Sequence, residues 1–301
     1  ELPSLNQNTT NKSDQRDAAA RFNAQWHVYA KRLRSVTRAG AFFDRIRYSD
    51  SLAGISSNNL TRSLMVENEN FYRWGSQHEA LLGLSVLNTA AVSDSYSGRQ
   101  GLNRISLFLG NKFVLAGGRL VSTISLRAEY FSPSRLPVTG NWSAEYRISR
   151  GLTIGLNGAK VYRQPTLNEL YWLPGGNPQL SPEQGYTAEG FVAFKRSLGR
   201  HVVSLTGAMF TRGINNWILW VPGENGNPSP HNLQKVWSRG TETNWQYAYR
   251  FKKGEIGFSA LTSYVLSTVS ETHQYNNASQ GRQLIYTPRY AANGSFRVVY
   301  R

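Results

Sequence analysis

The chain has 301 residues, of which 40% are hydrophobic and 17% charged, enough for one large or two ordinary folded domains. The mean hydropathy of -0.45 and the lack of any apolar run near the roughly 18 residues of a helical span exclude a transmembrane helix, since Phe113 to Ala116 and Trp217 to Val221 are far too short. Without cysteine there is no disulfide scaffold or thiolate site, and the net charge of +16 is spread along the chain, unlike the clustered footprint of a nucleic-acid binder.

The predicted elements are strands, recognised by side chains that alternate in polarity with a period of two. In the first, near 20–31, Phe22, Ala24, Trp26 and Val28 oppose Arg21, Asn23, Gln25 and His27. Strands follow near 35–48, 59–68, 77–90 and 103–114, and then near 119–131, where Ile124, Leu126, Ala128 and Tyr130 oppose Thr123, Ser125, Arg127 and Glu129. At 137–149, Trp142, Ala144 and Tyr146 share one parity and Asn141, Glu145 and Arg147 the other. A tight turn at Arg150 and Gly151 leads into 152–162, with Leu152, Ile154 and Leu156 against Thr153, Gly155 and Asn157. The remaining strands lie near 185–196, 201–212, 236–251, 255–270 and 287–300, about thirteen in all. A helix would scramble these parities.

The connections alternate in length. Short ones sit around Arg32, 116–118, Arg150, 197–199 and 252–254, and mostly longer polar ones at 49–58, 91–102, 163–184, 213–235 and 271–286. Short turns at one end and long loops at the other are the pattern of an outer-membrane β-barrel, which a soluble sandwich does not reproduce over so many hairpins. The apolar parity, including Trp142, Ala144, Tyr146, Leu152, Ile154 and Leu156, then faces lipid. The charges Arg127, Glu129, Glu145, Arg147 and Glu189 face the lumen, as a wall for a second domain or simply as solvation of a wet interior. Basic turns at Lys31, Arg32 and Arg34, at Lys195, Arg196 and Arg200, and at Arg250, Lys252 and Lys253 fit both lipid phosphates and plain solvation.

No catalytic constellation emerges. His27, His78, His201, His231 and His273 never fall at metal-ligand spacing, and neither a phosphate-cradling Gly loop nor a Gly-x-Ser-x-Gly elbow is present. The expectation is a protein that is not an enzyme, with no cofactor and no metal.

The informative motif is Arg163-Gln164-Pro165-Thr166-Leu167-Asn168-Glu169-Leu170-Tyr171-Trp172, followed by Gly176-Asn177-Pro178-Gln179-Leu180-Ser181-Pro182-Glu183. It resembles the barrel signature of TonB-dependent receptors, in which an Arg-x-Pro-(Thr/Ser)-x-x-Glu-Leu-Tyr element leaves one strand and Gly-Asn-Pro-x-Leu-x-Pro-Glu enters the next. Phe210-Thr211-Arg212 with Ile214 to Ile218, Asn232 to Val236 running into Arg239-Gly240-Thr241-Glu242, and Tyr286-Thr287-Pro288-Arg289-Tyr290 are similar to later elements of the same family. Physically, Pro165 ends ladder pairing and Pro182 begins the returning strand from an extended approach.

The resemblance implies an all-β, transmembrane antiparallel barrel of the bacterial outer membrane, with about 13 of an expected 22 strands in residues 1–301. It also implies a plug domain outside this chain and coupling to TonB through that plug, so the chain is expected to be an internal barrel fragment. Partners would be outer-membrane lipid and a large scarce nutrient, with no nucleic acid. The compact spacing is closest to the cobalamin-receptor branch, with a ferric-siderophore receptor as the alternative; a non-coupled porin or adhesin barrel and a soluble carbohydrate-binding β protein would share the strand pattern. Tyr171, Trp172, Trp217 and Trp220, expected on long loops, either offer flat surfaces to a macrocycle or belong to the membrane aromatic girdle.

Overall fold

Alternation of this kind satisfies backbone polar groups only when a strand has a neighbour on both sides, and the computed structural model gives every long strand but the first and the last two such neighbours. Residues 12–52, 54–132, 134–135, 138–222, 227–272, 280–284 and 287–300 are described. Thirteen long strands follow one another in a single antiparallel sheet in sequence order. They are β1 (Ser13–Tyr29), β2 (Leu33–Asp50), β3 (Ile55–Trp74), β4 (His78–Ser93), β5 (Gln100–Leu115), β6 (Leu120–Phe131), β8 (Thr139–Ser149), β9 (Leu152–Arg163), β10 (Glu183–Leu198), β11 (His201–Pro222), β12 (Pro228–Phe251), β13 (Gly254–Thr272) and β14 (Tyr290–Tyr300). A two-residue strand, β7 (Ser134–Arg135), pairs only with β6.

The turns at one end are tight: 30–32, 75–77, a 3-10 turn at Ala116–Gly118, 150–151, 199–200 and 252–253. Gly75, Gly117 and Gly199 adopt the left-handed backbone such turns need. The opposite end carries the long connections, but several strands extend further into them than alternation alone indicates. The expected loop at 49–58 is mostly ladder at its two ends, because β2 and β3 still pair at Asp50 and Ile55. Likewise β11 and β12 continue pairing up to Pro222 and Pro228, so the expected loop at 213–235 is mostly ladder. Polar strand ends look like loop in sequence because, beyond the membrane, neither face has an apolar partner. Tyr286 and His273 lie outside the described residues.

Register turns the alternation into two continuous faces, since directly opposed residues share a side. One row runs Ile124–Trp142–Gly158, and others run Ala144–Leu156–Gly190–Met209 and Tyr146–Ile154–Val192. The large side chains of this apolar face are bare: in the rows Leu156 is 58% and Met209 70% exposed, and on β3 Leu64 is 60% exposed. A face of this extent needs an apolar solvent. Where polar residues interrupt it near the short turns, they bond one another: the Asn68 amide donates to Ser35 Oγ at 3.2 Å and Thr37 Oγ1 at 2.9 Å.

The other face is polar and locally packed. Arg127 Nε donates to Glu129 Oε1 at 2.7 Å, and Ser106 Oγ donates to the same oxygen at 2.5 Å. The pairing therefore runs along β6 and back to β5, and no ion pair among the described residues joins Glu145 to Arg147. Phe191 lies over Gly155, where an added Cβ would sit 2.2 Å from the ring, so this glycine lets an aromatic cover the ladder.

Candidate functional site at the long-loop end

The segment between β9 and β10 contains the motif. Pro165, without an N–H, ends the β9 ladder and is fully buried. Thr166 then caps a one-turn helix, α1 (Leu167–Tyr171). Its Oγ1 accepts from Glu169 N at 3.2 Å, while Glu169 Oε2 accepts from Thr166 N at 2.7 Å, a reciprocal capping box. The helix is absent from the predicted elements, although Thr-x-x-Glu is the sequence pattern that announces such a start.

The centre of the segment is Arg163. Its guanidinium donates to both oxygens of Glu183, at 2.7 Å and 2.7 Å, and to both oxygens of Glu169, at 3.0 Å and 3.1 Å. One planar fork thus ties the last residue of β9, the helix and the first residue of β10. Glu183 Oε1 also accepts from Ile218 N at 2.9 Å, which brings in β11. The Glu183 bonds chiefly raise the Arg163 pKa, against burial and with help from Glu169. Burial pushes the Glu169 carboxyl up, but the Arg163 and Thr166 hydrogen bonds outweigh it and hold it below the ordinary carboxylate range.

Around this network the loops are stitched together. Leu170, Leu180 and Ile218 form a buried cluster against which Leu102 and Tyr171 pack. Asn177 Nδ2 donates to Pro230 O at 3.1 Å. The Asn232 amide donates to Ser181 O at 2.9 Å and Asn216 O at 2.7 Å. From the 94–99 turn, Ser95 O accepts from Leu173 N at 2.8 Å and the Tyr96 hydroxyl bonds Asn168 Oδ1. Gly175 has no room for a side chain, since a Cβ there would lie 2.0 Å from Pro228 O.

Of the four aromatics expected to contact ligand, two meet. Trp172 and Trp220 stack edge to face with centroids 5.8 Å apart, although 48 residues separate them. Trp220 lies on the extension of β11 opposite Pro230, not on a free loop. Trp217 is also on that extension, opposite Gln234 at a register shift, and Tyr171 is half-buried on the Leu170 cluster. Neither makes a ring contact with the Trp pair among the described residues. Sequence reasoning assigns no role to Arg163, Glu169 or Glu183, though all three stand in the motif; one arginine six and twenty residues before two glutamates is the available signal.

No group of metal-ligating residues occurs among the described residues. A groove of about 710 Å³, lined by Tyr146, Ile154, Leu156, Val192 and Met209, belongs to the apolar face, away from this rim.

Comparison with known proteins agrees with this architecture. Residues 2–301 match the family model described as TonB dependent receptor-like, beta-barrel. The vitamin B12 transporter BtuB of Photobacterium profundum is 30% identical over 130 residues, 41% of this chain and 20% of that protein. Among solved structures, the siderophore receptor PirA from Pseudomonas aeruginosa superposes with a TM-score of 0.71 at 17% identity, covering 86% of this chain and 51% of its own. The Serratia marcescens hemophore receptor HasR gives 0.72 at 14% identity, covering 96% and 56%. The chain thus spans about half the length of these structures. The family match sets aside the soluble β protein and puts the barrel in the receptor family, not with porins or adhesins. The chain belongs to the TonB-dependent receptor-like β-barrel family, receptors and transporters of the bacterial outer membrane.

Proposed function

We propose that this chain is part of the barrel of a receptor that captures and imports cobalamin, with import coupled to TonB through a plug domain carried elsewhere in the parent protein. The observation behind the nutrient is the 30% identity to a vitamin B12 transporter over 130 residues; the reading agrees with the compact, uninterrupted motif from Arg163 to Glu183. The protein is a transporter and catalyses no covalent reaction. Its plug would meet the polar face that holds Arg127, Glu129, Glu145, Arg147 and Glu189.

In this reading the Trp172–Trp220 pair is the main aromatic surface presented to the corrin macrocycle, with Tyr171 and Trp217 as further ligand contacts. Burying one such ring against a macrocycle contributes about 1–3 kcal/mol, so Trp172→Ala or Trp220→Ala in the full-length receptor should weaken cyanocobalamin binding about tenfold. Titration with cyanocobalamin and, in parallel, with a ferric siderophore separates the two nutrient classes. Siderophore binding lost in the same variants, with no cobalamin binding in the parent receptor, replaces cobalamin by a siderophore. Unchanged affinity for both removes these tryptophans from the site.

A further inference from the structure

The apolar face ends, on the side of the long loops, in a cluster of arginines. Register puts Arg45 and Arg47 of β2 on the same side as Phe22, Ala41 and Leu64, because Ala41 opposes Phe22 and Leu64, and 45 and 47 share its parity. Arg47 stands directly opposite Arg16 of β1. Arg62 opposes Phe43 on the same side and stacks over its ring at 5.7 Å. Four guanidinium groups therefore converge on the outward side of three adjacent strands.

Their height is informative. Arg45 is twelve residues beyond Leu33, where β2 begins, and Arg62 is twelve residues before Trp74, where β3 ends. A barrel strand needs about 9–11 residues to cross the hydrocarbon, so both lie just past the outer edge of the apolar layer, at the level of lipid headgroups. Arg239, twelve residues before Phe251 at the end of β12, marks the same level. That side chain is already engaged, stacked over Trp237 at 3.8 Å and donating to Thr268 Oγ1 at 3.2 Å.

In the β2–β3 cluster the engagement is looser, with Arg62 5.7 Å from the Phe43 ring centroid. Arg16 pairs with Asp14 at 3.0 Å, and Arg45 donates to the neutral Asn58 Oδ1 at 3.0 Å. No ion pair among the described residues holds Arg45, Arg47, Arg62 or Arg99. Directly below is a groove of about 440 Å³, with Phe22, Ala41, Phe43 and Leu64 in its lining and Arg62 and Arg99 at its edge. A second groove of about 470 Å³ runs past Arg16, Arg45 and Arg47. Cations above an apolar trough on a membrane-facing surface match an anionic headgroup above an acyl chain.

We propose that Arg45, Arg47, Arg62 and Arg99, with the trough beneath them, form a lipid-binding site on the outer side of the barrel for a phosphate-bearing glycolipid of the outer leaflet. Its phosphates accept paired hydrogen bonds from the guanidinium groups, and an acyl chain lies along Phe22, Phe43 and Leu64. Phosphate is the group that planar, permanently charged forks recognise best, and partial exclusion of water strengthens each contact relative to a free surface pair. The site is separate from the nutrient rim and does not depend on which nutrient is carried.

The test uses the complete receptor in detergent, titrated with bis-phosphorylated lipid A, with dephosphorylated lipid A and with inorganic phosphate, and read by native mass spectrometry. Expected are at least tenfold tighter binding of the bis-phosphorylated form and loss of that preference in R45Q/R47Q/R62Q. Dephosphorylated lipid A should bind the variant as it binds the parent. K252Q/K253Q, changed in a short turn at the opposite end, should keep the preference. Equal binding of the two lipid A forms by the parent receptor overturns the proposal even if the triple variant fails to fold. So does a preference undiminished in a folded triple variant, or full displacement of the lipid by equimolar inorganic phosphate.

Discussion

The membrane-facing rows around Leu156 and the rim around Arg163 are built from the same ladder but held by different forces. Along the rows, position is set by backbone pairing, and each side chain needs only to be compatible with hydrocarbon; neighbours such as Ala144 and Gly190 beside Leu156 show how loosely size is specified there. At the rim, backbone pairing stops at Arg163 and Glu183 and resumes on the other side of a nineteen-residue connection. Geometry there is carried by a single charged fork, one capping box and a three-residue apolar cluster. Side-chain-defined geometry is concentrated where the ladder no longer supplies a shape.

The contrast is broken most directly by putting a charge into the rows. Leu156→Arg, four residues from the short-turn end of β9, should cost about 2–4 kcal/mol in refolding into lipid vesicles. Thr153→Arg, on the opposite parity of the same strand, should cost far less. Equal costs at the two positions would mean that the parities do not face different solvents.

Next in size is Arg163→Ala. Its loss leaves the carboxylates of Glu169 and Glu183, 11% and 8% exposed, without their cation. Breaking a fully buried pair costs about 3–5 kcal/mol. Because Arg163 itself is 42% exposed and water replaces part of the interaction, about 2–3 kcal/mol is expected here. Hydrogen exchange should register it as local opening of 164–182, with the β9–β10 ladder below still protected. Uniform loss of protection across both strands would show that rim and rows are one cooperative unit.

The smallest effect is that of acid. Glu169 is held below its ordinary value of 4.5 in the folded rim, so its charged form favours the closed loop. That contribution is complete above about 4.5 and is lost as pH falls through the lowered folded value. A spin label at Gln179→Cys should become more mobile as the pH falls below about 4.5, and the added mobility should be absent in a Glu169→Gln background. If mobility rises equally in both backgrounds, the acid response comes from another group.

Much of this was legible in the chain itself. Period-two alternation at 137–149 and 152–162 identifies strands, their faces and their order, because both periodicity and tight turns are local properties. Residues 163–183 carry the family signature, and Thr166-x-x-Glu169 even announces the helix that alternation could not reveal. Tertiary structure alone decided how far β11 and β12 extend past the membrane, and hence that Trp220 sits on a ladder where Trp172 can reach it. It alone brought Asn232 to Ser181 and Asn216, and gathered Arg16, Arg45, Arg47 and Arg62 from three strands into one patch. The physical reason is that a strand's pattern states which side each residue takes, whereas its neighbours depend on register with other strands, and register is a property of pairs that no single stretch of sequence contains.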